Sequence, residues 1–480
     1  MIAMLLGEVA EAVGAKFVIA DSNGSDPARR MVRRVITDSR EVRDGDLFFA
    51  IRGQNHDGHG FLADAGARGA AACVADRAGA AGFEENVPAP ILVVDDTVAA
   101  LGRLAAHYRQ AVLPVGATVI AITGSNGKTT TKGMIDHVLR RSLKGVASPK
   151  SYNNQIGVPL TMLLADEDDR YVVAELGTNN PGEIAALARL VSPHVGVITS
   201  IGEAHLEGLG GIAGVAAEKA SLLEHIRPGG LAVVNTDRRE VRPYVERCRH
   251  VRVMSVGTDP AAKLTVSGAE SSLERTTFTL EGRYRIELPM PGTHHATNAA
   301  AAFAVARWLG VGCEQIIESL RTFVPAEGRT RRMEVDGVTI IDDAYNANPS
   351  SVLAAVEALR SGWSRRRIFV LGDMLELGPD TSGLHQRVVR SIVDSGIEVL
   401  VAVGEAVGGA VDGLADCGME IHRCEGADAA RRLLRGILRE GDAVWVKGSR
   451  VMRLDGLVRG LCEDRPGVLS LARAPTAAVA

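Results

Sequence analysis

Short apolar runs alternate with amphipathic stretches along most of the chain, and the alternation is clearest from about residue 117 onward. ATVIAI, YVVAEL, HVGVITSI and LAVVN are runs bounded by turn residues, the pattern of strands buried on both faces. GEIAALARLV and GIAGVAAEKASLLEHI lie between them and repeat apolar residues at the helical period. HATNAAAAFAVARWLG and CEQIIESLRTF add two further helices that end near Pro325. This order predicts a mostly parallel sheet with helices on both faces. The pattern then restarts. VTIIDD, RIFVLGD, EVLVAVG and DAVWVKG read as strands, with SSVLAAVEALRS, LHQRVVRSIVDSG and ADAARRLLRGIL as the helices between them, which makes a second open α/β sheet. Before residue 113 the elements are shorter: VRRVITDSR, DLFFAIRG, a helix-like FLADAGARGA, strand-like AACVA and ILVVDD, and a helix from Thr97 to Ala111 followed by Pro114. The chain is therefore read as a three-domain α/β protein divided at 1–113, 114–326 and 327–480, with an aperiodic and mobile tail after Asp464.

Composition narrows the class without fixing it. Of 480 residues, 46% are hydrophobic and 23% charged, which fits a globular chain and excludes wholesale disorder. A formal net charge of -4 provides no global basic field for nucleic acid or anionic lipid. Cys73, Cys248, Cys313, Cys417, Cys424 and Cys462 stand singly, without a CxxC pair, which argues against a structural zinc site and for a reducing compartment. The start of the chain lacks a basic, then long apolar, leader, and no segment approaches about 18 uninterrupted apolar residues. A soluble cytoplasmic protein without membrane insertion is expected.

The strongest chemical signal is TGSNGKTT, Thr123 to Thr130, between a strand and a helix. Gly124 and Gly127 let the backbone curl so that the N–H groups of Ser125, Asn126 and their neighbours point at phosphate oxygens. Lys128 supplies a positive charge for the β/γ-phosphates, and the hydroxyl of Thr129, followed by Thr130, is placed for Mg²⁺. The loop is shorter than the usual phosphate loop, with Ile122 where its first glycine would stand. A plain glycine turn with a solvated lysine is the bland alternative; the strand–loop–helix context favours a nucleoside triphosphate.

Two further groups follow strands, where ligands of open α/β sheets gather: Glu175 ends YVVAEL, and His205 lies in ITSIGEAHLEG. Either would suit Mg²⁺, with Glu203 and Glu207 as competitors beside His205. Lys219, in a helix with one apolar face, reads from its own surroundings as a snorkelling surface lysine. No serine or cysteine triad motif and no guanine-reading NKxD motif is present.

These motifs, together with GTHHATNAA (Gly292 to Ala300), resemble the ATP-dependent Mur ligases and their relatives, which form amide bonds between a carboxylate and an amino acid. The resemblance extends over nearly the whole chain. TDSREVRDGDLFFAIRG is similar to the family's UDP-sugar-binding domain. IDDAYNANP, LGDMLELG and WVKGSR resemble the branch of the family that adds D-alanyl-D-alanine to UDP-N-acetylmuramoyl-tripeptide; other branches carry a histidine-bearing DYAH- or DGAHNP-like segment in place of YNANP.

The resemblance implies an N-terminal UDP-binding α/β domain, a central P-loop ATPase domain and a C-terminal Rossmann-like domain. It implies that Lys128 and the loop hold ATP, that Thr129 and Glu175 bind one Mg²⁺, and that His205 and a carbamylated Lys219 bind a second. Asn298 would contact adenine, and Arg329, Asp342 and Asp343 would face the nucleotide from the C-terminal domain. Ser39 and Arg40 would bind the uridine diphosphate end, while Asn153 and Asn154 would meet the sugar-peptide or the reaction centre. Asn346, Asn348, Lys447, Ser449 and Arg450 would lie near the dipeptide. His295 and Thr297 depart from the usual adenine segment, although His294 and Asn298 keep its spacing, and Asp455 replaces a usual glutamate. A working monomer is expected. The rivals are another amide ligase of the same superfamily and a P-loop nucleotide switch.

Overall fold

The computed structural model describes all residues except 18–25, 54–55, 82–86, 114–115, 363, 413, 415–416 and 464–480. Pro114 and the tail after 464 therefore lie outside the described residues. Among those described, the strands form four sheets. A five-stranded sheet near the N-terminus runs in the order Lys16–Phe17, Ile91–Val94, Ala72–Asp76, Asp46–Phe49, Arg34–Ile36 and is parallel except at its first strand. Met4–Leu5 and Met31–Val32 form a small antiparallel pair beside it. The helix predicted for 97–111 is α-helical over Thr97–His107 and widens into a π-turn over Tyr108–Val112, where the buried Tyr108 hydroxyl donates to the Ala165 carbonyl at 2.5 Å.

A nine-stranded central sheet follows. Thr118–Thr123 sits inside it, flanked in parallel by Val195–Ile198 and Tyr171–Glu175. Each of these strands is apolar at nearly every position because helices cover both faces, as the continuous runs predict. The helix His295–Trp308 buries Ala296, Ala299, Ala300, Ala302 and Phe303 in one core cluster with Met134, Ile135 and Val138 of Lys128–Leu139. Small alanine side chains let the two helices approach closely, and burying Phe303 contributes about 1.5–3 kcal/mol.

Part of this sheet departs from the expected alternation. Leu264–Ser271, Thr276–Leu280 and Tyr284–Leu288 extend it as an antiparallel meander. Their alternating burial, as in TTFTL, is the mark of strands with one solvated face, a period-two signal distinct from the continuous runs that stand out first. The predicted helix over 211–226 also divides, into Ile212–Ala220 and a 3-10 segment Ser221–His225.

The third sheet has six strands in the order Arg331–Val335, Val338–Asp343, Asp442–Lys447, Arg366–Gly372, Val399–Val403, Glu420–Cys424. It is parallel except for the first strand. Its order turns back beside Asp442–Lys447, so the carboxyl ends of Val338–Asp343 and Asp442–Lys447 lie side by side, with Asp343 in register with Lys447. That edge is the usual location of a ligand site in an open α/β sheet.

Candidate active site

Three strand ends of the central sheet converge. Thr118–Thr123 opens into the phosphate loop, Tyr171–Glu175 ends on its carboxylate, and Val195–Ile198 leads into the segment that carries His205. The loop is fastened to that third segment: Ser125 N–H donates to the Ser200 carbonyl at 2.9 Å, and Asn126 N–H donates to Ser200 Oγ at 2.9 Å. Gly124 and Gly127 have φ of +149° and +82°. A Cβ at Gly127 would come 2.4 Å from Asn298 Oδ1, so the left-handed conformation and the close approach both require glycine there.

Glu175 is fully buried. Thr129 Oγ1 donates to its Oε2 at 3.0 Å, Asn153 Nδ2 donates to its Oε1 at 3.1 Å, and Lys132 Nζ lies 3.2 Å from Oε2. Desolvation pushes this carboxyl upward, but the charges of Lys132, Lys128 and Arg329 overcome it and hold it below its ordinary range. Lys128 curls over the loop and donates to the Gly124 carbonyl at 2.6 Å. Desolvation lowers it to about 8, opposed by Glu175 and assisted by Arg329. Lys132 is a site residue the sequence reading missed. It falls one helical turn after Lys128, and a lysine on the otherwise buried face of Lys128–Leu139 is the signal that marks it.

Lys219 is 1% exposed, which replaces the snorkelling reading with full burial. The neighbouring Glu218 does not reach back to it: its carboxylate accepts the backbone N–H groups of Gly182 and Ile184, each at 2.7 Å, where the helix Glu183–Val191 begins. Desolvation first, and then the charge of Lys128, bring Lys219 down to about 7. A neutral amine is thus available near neutral pH. His205 adopts φ +56°, and its Nδ1 lies 2.6 Å from Glu376 Oε2 of the C-terminal domain. The ring N–H points off the line to that oxygen, so the two groups are close without an aligned hydrogen bond.

The C-terminal domain reaches the phosphate loop directly. Asn348 Nδ2 donates to Asn126 Oδ1 at 2.7 Å, and Asn126 Nδ2 donates back to Asn348 Oδ1 at 3.3 Å. Asn348 also caps the helix Pro349–Arg360, so turn-forming and contact roles coincide in one residue. Asp343 Oδ2 accepts from Lys447 Nζ at 2.7 Å, and the same ammonium donates to the Asn346 carbonyl at 3.0 Å. Asp342 instead accepts the backbone N–H groups of Gly328 and Ala344, pinning the start of the domain, and desolvation raises its pKa. Arg329 and Arg450 lie over the ring of Tyr345, at 3.8 and 4.8 Å from its centroid, with Arg329 also donating to Ser151 Oγ at 3.5 Å. Ser449 Oγ accepts the Leu375 N–H at 2.9 Å.

Asn298 packs on Gly127 and lies 3.2 Å from His295, whose other ring nitrogen lies 3.3 Å from Thr330 Oγ1; Thr330 in turn donates to Asp343 at 3.4 Å. Thr330 is a second residue the sequence reading passed over. Burial holds His295 well below its usual value, so its ring is neutral, while His294 stands exposed beside it with the two ring centroids 4.0 Å apart. Asn154 Oδ1 accepts from Ile156 and Gly157, at the start of the helix Gly157–Met162. Ser39 is buried and Arg40 exposed in the N-terminal domain, with Arg40 held to Asp38 at 2.6 Å; neither contacts the cluster around Glu175. A cleft of about 900 Å³ runs between the helix Thr97–His107 and the central domain, lined by Asp96, Gly102, Asn153, Asn154, Thr178 and Glu183 among others.

Mg²⁺ takes hard oxygen ligands. The Thr129 hydroxyl and Glu175 carboxylate, already in contact, fit that requirement. Among the described residues no three His, Cys, Asp or Glu side chains gather into a ready metal cage.

Three family models match the chain: the Mur ligase family catalytic domain over residues 32–109, the Mur ligase middle domain over 122–306, and the Mur ligase glutamate ligase domain over 328–450. The UDP-N-acetylmuramoyl-tripeptide–D-alanyl-D-alanine ligase of Mycobacterium tuberculosis H37Rv is 35% identical over 97% of this chain and 98% of its own length. The chain belongs to the Mur ligase family. The corresponding ligase of Escherichia coli K12 is 32% identical over 90% of this chain and 94% of its own. The crystal structure of MurF from Acinetobacter baumannii superposes with a TM-score of 0.84 at 30% identity, covering 96% of this chain and 99% of that one. MurF from Thermotoga maritima in complex with ADP gives a TM-score of 0.77 at 26% identity, over 90% and 98%. The three-domain α/β architecture with mostly parallel sheets is thus the one shared by these Mur ligases. Among the described residues, no helix is long and apolar enough to cross a membrane.

Proposed function

We propose that this Mur ligase joins D-alanyl-D-alanine to UDP-N-acetylmuramoyl-tripeptide at the expense of ATP, supplying the pentapeptide precursor of peptidoglycan in the cytoplasm. The carrying observation is the clasp between Asn126 of the phosphate loop and Asn348 of YNANP, which brings the Asp343–Lys447 edge of the third sheet over the nucleotide loop. The division at 1–113, 114–326 and 327–480 then assigns the nucleotide-sugar, ATP and dipeptide to successive domains.

The tripeptide's terminal carboxylate attacks the γ-phosphorus of ATP, giving an acyl phosphate and ADP. The dipeptide amine adds to the acyl carbon, and the tetrahedral intermediate collapses with loss of phosphate. Two anions must meet in the first step, so charge neutralisation dominates. The Ser125 and Asn126 N–H groups are taken by Ser200, so Lys128 and the N–H groups at the start of the helix Lys128–Leu139 hold the phosphates, and Lys132 fixes Glu175. Mg²⁺ held by Thr129 and Glu175, and a second ion held by His205 and carbamylated Lys219, would neutralise charge on the phosphate oxygens. Asn298 and the neutral, buried His295 form a surface suited to adenine. Arg329 contributes charge near Lys128 and Glu175 from the C-terminal side. Asn153 and the cleft beside it receive the peptide end, and Ser39 with Arg40 the uridine diphosphate. Seating the third domain excludes water from the acyl phosphate.

Arg450 stands where it can meet the dipeptide carboxylate, between the Tyr345 ring and a hollow of about 540 Å³ that Arg453 and Arg459 also line. Arg450→Ala is expected to raise KM for D-alanyl-D-alanine by roughly tenfold or more, the worth of a charge-assisted hydrogen bond, with KM for ATP unchanged. Phosphate release measured with UDP-linked tripeptide and a panel of amines tests the whole reading. D-alanyl-D-alanine should stimulate release above single amino acids. Equal release with no amine would instead favour a nucleotide switch, and preference for glutamate or a diamino acid another ligase of the superfamily.

A further inference from the structure

The segment that follows Val195–Ile198 is gripped from the C-terminal domain at four points. Glu376 approaches His205; Arg387 Nη2 donates to Glu203 Oε2 at 2.5 Å; Ser350 Oγ accepts the Glu203 N–H at 3.4 Å; and Gly378 packs against Glu207, where an added Cβ would lie 3.5 Å from the Glu207 Cα. The four gripping residues come from the helix Pro349–Arg360, the loop that carries LGDMLELG, and the helix Thr381–Asp394. At the centre of the grip, His205 and Glu376 both hold left-handed backbone, φ +56° and +61°, which non-glycine residues keep only when their surroundings impose it.

The chemistry of the pair is directional. A carboxylate facing Nδ1 keeps the proton on that nitrogen and leaves the Nε2 lone pair free, the arrangement by which an outer carboxylate orients a ligating histidine. The 2.6 Å separation sets the Glu376 carboxylate against Nδ1, and turning the ring or the carboxylate brings the N–H onto the line between them. Arg387 grips the same segment two residues away without touching the ring.

We propose that Glu376 is a positioning residue for His205, so that seating the C-terminal domain and presenting the His205 Nε2 are one event. The inference rests on the ligase reading above, in which His205 holds the second divalent ion. Glu376 itself touches no substrate; it acts through the ring.

The test uses the full chain and the variants Glu376→Gln, Glu376→Asp and Arg387→Ala. Mn²⁺ binding is titrated by electron paramagnetic resonance in the presence of a non-hydrolysable ATP analogue and UDP-linked tripeptide, and steady-state kinetics are measured in parallel. Glu376→Gln should weaken the looser class of Mn²⁺ roughly tenfold or more. It should lower kcat without changing KM for ATP, and Glu376→Asp should recover part of both losses. Arg387→Ala should leave Mn²⁺ affinity near that of the unaltered protein. Unchanged Mn²⁺ affinity in Glu376→Gln overturns the proposal, and so does an equal loss of kcat in Glu376→Gln and Arg387→Ala with Mn²⁺ binding unmoved, because that pattern is docking alone. Absence of tripeptide-dependent phosphate release in the unaltered protein would instead sink the ligase reading, while the Mn²⁺ titration still reports whether Glu376 orients the ring.

Discussion

Lys128→Ala is expected to lower turnover by roughly 10²–10³-fold, the usual cost of deleting one preorganised charge or donor at a developing anion. The neighbours cannot replace it. Lys132 is held by the Ser148 carbonyl at 2.9 Å and by Glu175, and Arg329 lies over the Tyr345 ring. The fold should survive, because the Lys128 ammonium bonds only to carbonyls of its own loop, which water can satisfy after truncation. Lys128→Arg should not rescue activity: a planar guanidinium is bulkier than an ammonium and would not fit the curl over Gly124. Rapid-quench measurement of ADP formation in a single turnover separates this step from product release. A rate within about twofold of the unaltered protein would remove Lys128 from the phosphate site, since a tenfold change corresponds to only about 1.4 kcal/mol.

Much of this site is legible in the sequence because its parts are local. TGSNGKTT encodes a backbone shape, and Glu175 and His205 are marked by following buried strands. Contacts between remote segments are less legible. Nothing near Asn126 announces that its amide meets Asn348, and nothing near His205 announces Glu376. Lys219 shows the limit most plainly. Its own helix favours a surface lysine, yet Glu218 on the preceding position is tied to the start of Glu183–Val191, which fixes the helix so that Lys219 turns inward. The antiparallel meander over residues 264–288 escaped for a different reason: its strands signal by alternation, which is weaker in short segments than an unbroken apolar run.

Lys219→Ala is expected to leave ligation at background and to regain part of it when a short-chain carboxylic acid is supplied, because the acid replaces the oxygen ligand that a carbamate would provide. The argument starts from burial. Folding moves this amine from water to a site with 1% exposure beside Lys128, and its pKa falls from 10.5 to about 7. The lowered value means that the folded state disfavours the proton. The destabilisation therefore grows as pH falls from the unfolded value near 10.5 and levels off below about 7. Only the neutral amine captures CO₂, so carbamate should form more readily as pH rises through about 7 and be lost below it. Two measurements follow. Activity at fixed bicarbonate should decline on the acid side of about pH 7 more steeply in the unaltered protein than in acid-rescued Lys219→Ala, which carries no amine to titrate. In CO₂-free buffer below about pH 7, Lys219→Met should melt a few degrees higher than the unaltered protein, since a buried cation repelled by Lys128 is exchanged for an apolar side chain of similar length. Full activity of Lys219→Ala without added acid would show that the buried amine serves neither as a carbamate nor as a charge, and a lower melting temperature for Lys219→Met would show that the site is not dry enough to depress the lysine.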